Sequence, residues 1–342
     1  MAETRRWKHR PAGSTWGDFG PDDQRGRLNL LTPKKVLEGI AEVKEGRTFC
    51  LSLPLDYPGG SKLNPRRHPP KLQPTIREGR PNMNFALRDL DPRFTDVISD
   101  DACFIHLQYS TQWDSLAHVG QLFDADGDGV AERVYYNGYR AGEHVIAPQD
   151  PGGAEPGARA LGVENMATSC IQGRAVMIDL EAHYGRERKL VGYDDLMQVM
   201  AKDGVTVEEG DMVCLRTGFS QQLLDMKKEP TDEALHKSCA ALDGRDERLL
   251  NWITKSGLVS LIADNYAVEA SPSRPCEEDH CASLPLHAHC LFKLGVNLGE
   301  IWYLSELADW LRARKRYRFL LTAPPLRLPG AVGSPATPVA TV

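Results

Sequence analysis

The sequence predicts one mixed α/β or α+β domain, and three observations carry that expectation. Short β-type runs rich in branched and aromatic residues recur at 103–113, 175–180, 211–217 and 258–263. Helical spacing fills the intervals and follows them, at 193–202, 233–255 and 304–314. A chain of 342 residues that is 41% hydrophobic and 26% charged can bury a large core, and no Pro/Ser/Gly linker or break in composition divides residues 30–320.

The elements follow in order. Residues 1–15 form a polar N-terminal arm. Thr32-Pro33 opens a helix, with a cap residue, a proline at the first helical position, and Val36, Leu37, Ile40 and Val43 at helical spacing. Residues 53–81 hold many Pro, Gly, Lys and Arg residues with no period, and read as a long irregular excursion of the kind that covers sites. No glycine-rich phosphate loop follows any strand, so a nucleotide-binding doubly wound fold and an organic cofactor are not expected. From Pro324 the chain is rich in Pro, Gly, Ala and Val, which predicts an extended arm lying on the body. The expected units are an arm at 1–15, a domain at 16–323 and a tail at 324–342.

Charge narrows the function classes. A net charge of -6 leaves no basic surplus for phosphates, so nucleic acid is not the expected partner and a small-molecule substrate is. Arg66-Arg67 and the basic run 312–318 read as solvated surface. No apolar run of about 20 residues exists to span a bilayer, and the polar N-terminus has no apolar signal core, so the expected location is cytoplasmic. Eight cysteines are scattered, and those inside apolar runs such as Met212-Val213-Cys214-Leu215 are expected to be reduced core residues.

The informative stretch is 104–118. Read as a strand, it places Ile105, Leu107, Tyr109, Thr111 and Trp113 on one face and His106, Gln108, Ser110, Gln112 and Asp114 on the other. A solvent face would be dominated by Lys, Glu, Arg and Thr, whereas amides, an imidazole and a carboxylate are groups that coordinate, donate and accept. His118 follows Asp114 by four residues, within reach of the same place.

These residues resemble the signature of the cyclase family that includes bacterial kynurenine formamidase and isatin hydrolase, His-x-Gly-Thr-His-x-Asp-x-Pro-x-His. Here the segment reads Gln108-Tyr109-Ser110-Thr111-Gln112-Trp113-Asp114-Ser115-Leu116-Ala117-His118, keeping Thr111, Asp114 and His118 at the family spacing. The resemblance runs over 16–335. It includes Trp16-Gly17-Asp18, Asp22-Asp23-Gln24, Glu209-Gly210-Asp211, Arg216-Thr217-Gly218, Ile262-Ala263-Asp264, Leu286-His287 and Gly299-Glu300. A larger branch of the family carries Thr-Gln-Trp-Asp at this place, so Gln112 reads as a subfamily choice.

The resemblance implies a swivelling β/β/α fold, a homo-oligomer, and hydrolysis of an amide, formamide, cyclic amide or lactone with one divalent metal, manganese or zinc. Carried over by position, Asp114, His287 and Glu300 are ligands, Gln108 and Gln112 stand at ligand positions, and His118 is the general acid/base, with Asp114 beside it. An amide oxygen is a neutral, weaker donor than imidazole for zinc, which leaves manganese, magnesium or calcium, or a metal-free site, open. His289 is the alternative to His287 if the register slips. Trp16, Trp113 and Trp302 are candidates to wall a pocket for a cyclic substrate, or to fill the core. A metal-free binding protein, and a lyase or true cyclase, remain alternative readings.

Two further motifs offer other metal sites. Asp124-Ala125-Asp126-Gly127-Asp128-Gly129 matches the first half of a calcium loop, but loop position 12 is Tyr135, which favours an Asp/Gly hairpin. Cys276 and Cys281 hint at a zinc knuckle but lack a second clean ligand pair and read as a loop near the site. No Gly-x-Ser-x-Gly elbow occurs.

Overall fold

Four neighbouring strands in the middle of the chain alternate between two apolar sets, and this alternation builds the body of the protein. The computed structural model describes residues 5–151 and 155–342; residues 1–4 of the expected N-terminal arm lie outside it. Nine strands form one sheet: β1 (Thr48–Cys50), β2 (Gln112–Asp114), β3 (Gln172–Asp179), β4 (Met212–Arg216), β5 (Ser260–Ala263), β6 (Asn297–Glu300), β7 (Arg318–Thr322), β8 (Gly333–Pro335) and β9 (Val339–Thr341). Their order across the sheet is β1-β9-β7-β3-β4-β5-β6-β2-β8. Strands β3 to β6 run parallel, and the flanking pairs are antiparallel. Parallel strands are covered on both faces, which is why these read as continuous apolar runs. Val176, Ile178, Val213 and Leu215 enter one core cluster, while Ala175, Met177, Met212 and Cys214 enter the other.

The helices stand where the spacing places them. Thr32 caps Pro33–Ala41, its hydroxyl accepting from Lys35 N at 3.4 Å. Tyr193–Asp203 starts with Asp194 and Asp195 in its first turn and stops at Gly204, whose φ of 67° suits glycine. Ser305–Ala313 also matches the expected span. Among the described residues no helix is long and apolar enough to cross a membrane.

Three expectations change. Run 103–113 is not one strand: Asp101–Phe104 pairs with Lys71–Pro74 in a separate ribbon, a turn follows in which Tyr109 N donates to His106 O (3.0 Å), and only Gln112–Asp114 joins the sheet. The helical pattern at 233–255 is interrupted by Ala240–Leu242, which pairs in parallel with Lys189–Val191 before Asp246 caps Glu247–Ser256. The tail is integral to the sheet, since β8 pairs with β2 and β9 lies between β1 and β7. Its short alternating segments were too brief to show a period, and the sheet's unpaired backbone groups recruit them.

Beside β4, a buried ionic group joins the first helix to the sheet. Arg174 donates to both oxygens of Asp211 at 2.8 and 3.1 Å, and Lys35 Nζ reaches the same carboxylate at 3.1 Å.

Candidate active site

The register of β2 against β6 assembles the site. Gln112 and Asp114 project from the same face of β2, and Glu300 is paired with Gln112, so the three side chains share that face. Gln112 Nε2 donates to Glu300 Oε2 at 3.1 Å and to Asp114 Oδ1 at 3.3 Å. The amide therefore acts here as a donor tying two carboxylates together, not as the oxygen ligand its motif position implies. Gly333 of β8 is paired with Asp114 and has no side chain; a Cβ there would lie 2.3 Å from Gln108 Nε2. The Gln108 amide fills that space on the face of Asp114.

His287 comes from a different element. Pro285–His287 is the first turn of a helix that continues as a π-helical turn over Ala288–Leu294. Its N-terminus is capped by Glu269, whose carboxylate accepts from Leu286 N and His287 N, both at 3.0 Å. The same carboxylate stands 2.7 Å from His287 Nδ1 and accepts its proton, which fixes the ring and turns Nε2 toward Glu300 Oε1 (3.2 Å) and Asp114 Oδ2 (4.0 Å). Ligand atoms of Asp114, His287 and Glu300 all fall within 4.8 Å of one another, and all three residues are buried. Gly244 permits the close approach of Glu269, because a Cβ at 244 would lie 2.2 Å from Glu269 Oε2.

The backbone beside these carboxylates is strained. Ala267 and Val268, just before Glu269, and Ile301, just after Glu300, have φ of 76°, 58° and 56°. Thr111, the retained motif threonine, holds this turn: its hydroxyl donates to Ile301 O at 2.6 Å and accepts from Leu53 N at 3.0 Å.

Burial and charge set the protonation of the group. Burial pushes the Asp114 carboxyl up, and Glu300 adds to this, while His118, His287 and Arg67 pull against it. Glu300 is held below the usual carboxylate range: burial would raise it, but the hydrogen bond and charge of His287 outweigh that. Burial pulls His287 down, yet hydrogen bonds to Glu269 and Glu300 push it up to about 10. His118 lies at the rim, half-buried, with Nε2 3.8 Å from Asp114 Oδ1.

The donor set suits a divalent cation. Asp114 Oδ2 is buried with no hydrogen-bond partner, beside the His287 imidazole and Glu300 carboxylate that would share a coordination shell with it. One nitrogen and several hard oxygens within this span are what a first-row divalent metal accepts.

The model of the Cyclase family, described as "Putative cyclase", matches residues 51–270. The chain belongs to this family. A crystal structure described as a novel cyclase is 30% identical, with a TM-score of 0.75 over 96% of this chain and 97% of that one. Isatin hydrolase A from Ralstonia solanacearum shares the fold at 17% identity and a TM-score of 0.53, over 86% of this chain and 91% of that one. An isatin hydrolase bound to the product analogue thioisatinate does so at 13% identity and a TM-score of 0.53, over 91% and 99%. No curated protein gives a significant match.

Other sequence candidates fall elsewhere in this cyclase-family chain. Trp16, Trp113 and Trp302 are fully buried, with indole N–H groups donating to Phe292 O, Ala323 O and Gln112 O at 2.7–2.9 Å. They are core residues with no surface for a ligand; Trp113 and Trp302 pack edge to face on the opposite side of β2. His289 points away, its Nε2 2.9 Å from Thr254 Oγ1, because two residues along a helix turn it to another face. Burial lowers its pKa to about 4. Arg67 is not solvated surface: it donates to Gln108 O at 2.6 Å and its charge acts on Asp114 and Glu300.

Cys276 and Cys281 are joined by a disulfide, so neither thiolate is free for a zinc knuckle. The loop they close lines a groove of about 1190 Å³ with the hairpin Gln121–Phe123/Glu132–Val134, a groove that does not include Asp114, His287 or Glu300. The tip of that hairpin is the Asp124–Asp128 turn, where Asp124 accepts from Gly127 N, Asp128 N and Gly129 N, as expected of an Asp/Gly hairpin. Nothing in the pattern of residues marks Glu269, a single acid between Val268 and Ala270 with no motif spacing.

Proposed function

We propose that this cyclase-family protein is a metal-assisted hydrolase that cleaves the C–N or C–O bond of a small amide, formamide, cyclic amide or lactone. The observation that carries the proposal is the buried set Asp114, His287 and Glu300, with His287 locked by Glu269 and His118 at the rim. Manganese or zinc bound by these three residues would polarise the carbonyl and lower the pKa of the attacking water. Asp114, Glu300 and His287 fix the position of the reacting atoms. His118 Nε2 takes the proton from the attacking water and returns it to the leaving nitrogen or oxygen, so hydrolysis leaves its protonation unchanged. Asp114 Oδ1, 3.8 Å from His118 Nε2, faces the ring during that transfer. The Gln112 amide keeps the two carboxylates together before the cation arrives.

Substitution of His118 by alanine is expected to lower kcat by about 10²–10⁴-fold on a turned-over N-formyl, cyclic amide or lactone compound, with stability unchanged because the side chain lies at the rim. Full turnover by this variant would remove the acid/base assignment.

One observation favours a metal-free binding protein instead: Gln112 already bridges both carboxylates through its N–H groups. Elemental analysis of protein purified without chelator decides between the readings. The hydrolase is expected to carry a stoichiometric divalent metal that is lost in Asp114→Ala. Absence of metal in every preparation, with no uptake of added Mn²⁺ or Zn²⁺, would leave metal-free catalysis or the binding protein.

A further inference from the structure

Arg67 stands beside the candidate site as a charge without a counter-charge. Among the described residues no carboxylate lies within ion-pair distance of it, and of the five N–H donors of its guanidinium one is engaged, Nη1 on Gln108 O at 2.6 Å. The arginines buried in the body are spent on the fold. Arg174 and Arg216 are paired with Asp211 and Asp179, and Arg27 donates to the carbonyls of Ile253, Thr254 and Leu258. Arg67, half-buried, is not used in that way. Its backbone is nevertheless fixed by a turn at Asn64, whose Oδ1 accepts from Arg66 N at 3.1 Å and whose backbone oxygen accepts from Arg67 N at 3.0 Å.

Arg67 lines a narrow cavity with Asn64, Gln108, Tyr109 and Tyr266, and it is the one charged residue of that lining. Tyr266 adds a second donor. Its hydroxyl accepts from Asn64 Nδ2 at 3.1 Å and, among the described residues, meets no acceptor for its own proton. Tyr109 is already satisfied, accepting from Gly59 N at 3.1 Å and donating to Gly60 O at 2.9 Å. At about 10 Å³ the cavity admits one small polar group and no more. The reacting centre is next to it. The Gln108 amide, part of the same lining, fills the space on the face of Asp114, and Tyr266 precedes by three positions the Glu269 that holds His287. The charge of Arg67 also acts on Asp114 and Glu300.

We infer that Arg67 and Tyr266 form a carboxylate subsite, and that the substrate carries a carboxylate close to the bond that is cleaved. A guanidinium presents parallel N–H groups that match the two oxygens of a planar carboxylate, and a carboxylate is small enough for a cavity of this size. Bound there, it would place the neighbouring amide or ester carbonyl toward Asp114, His287 and Glu300. That placement rests on the hydrolase reading; recognition of the carboxylate does not, because it requires binding alone.

Calorimetric titration of the full chain with two matched pairs tests the subsite: N-acetylanthranilate against acetanilide, and N-acetylglycine against N-methylacetamide. In at least one pair the carboxylate is expected to bind about tenfold or more tightly than its neutral partner, as charge-assisted hydrogen bonds of this kind allow. Arg67→Gln should abolish the preference, Arg67→Lys should keep part of it, and Tyr266→Phe should weaken binding of the carboxylate alone. The Tm of the Arg67 variants should stay near that of the unchanged chain, because the side chain makes a single hydrogen bond to the body. His118→Ala should retain the preference even where turnover is lost, so that failure of the hydrolase reading and failure of the subsite give different results. Equal binding within both pairs, no binding of either carboxylate, or a preference that survives Arg67→Gln would overturn the assignment.

Discussion

Replacing Glu269 with alanine is expected to weaken divalent-metal binding by about 10–100-fold, although Glu269 is not itself one of the three clustered ligands. Its carboxylate holds three N–H groups: those of Leu286, His287 and the His287 ring. Loss of the ring partner frees His287 to rotate and to exchange tautomers, so Nε2 no longer faces Asp114 and Glu300. The two backbone donors are left buried without partners, each costing about 1–3 kcal/mol. Glu269→Gln keeps an acceptor oxygen for one donor but places an N–H group against another, and should fall between alanine and the unchanged chain. Calorimetric titration with Mn²⁺ and Zn²⁺, beside thermal melts, separates the two effects. Unchanged metal affinity in Glu269→Ala would show that His287 is positioned by something else.

The second large effect is on stability. Arg174→Ala is expected to cost about 3–5 kcal/mol, because Asp211 is fully buried and would keep only Lys35 as a cationic partner. A lysine at 174 could not reproduce the paired bonds to both Asp211 oxygens and should rescue only part of the loss. The same group gives an acid dependence with a definite sign. Hydrogen bonds from Lys35 and Arg174 hold Glu38 and Glu208 below the usual glutamate range. Stability from these contacts is present above the ordinary glutamate pKa and is lost as pH falls through the lower folded values. Denaturant melts between neutral and acid pH should therefore draw closer for Arg174→Ala and the unchanged chain as Glu208 protonates, without meeting, because the loss of the Asp211 contacts remains. Parallel melts across that window would remove the linkage.

The site was partly legible in the sequence. Asp114 and His118 were readable because they lie on one short segment, four residues apart, at spacings that the family signature keeps. His287 and Glu300 were readable by position in the family pattern, and the structure brings both to Asp114. Glu269 and Arg67 were not legible. Glu269 meets His287 only because the residues after β5 bend through two positive-φ positions, and Arg67 lies in an excursion without period. The tryptophans were misleading for the opposite reason: large aromatic rings serve cores and pockets equally well, and only packing tells which.

By itself the sequence determined the strands β3, β4 and β5, the helices whose caps and apolar spacing are local, and the placing of Gln112, Asp114 and His118 on one short segment. Those features depend on residues within a few positions of each other, where periodicity and capping chemistry act. Tertiary structure alone decided that 233–255 is broken by a strand, that the tail supplies one edge strand of the sheet and inserts another next to its opposite edge, and that Gln112 donates to two carboxylates. It also decided that Glu269 holds His287. Each of these depends on partners far apart in the chain, and a buried backbone or side-chain donor takes whichever acceptor folding brings to it.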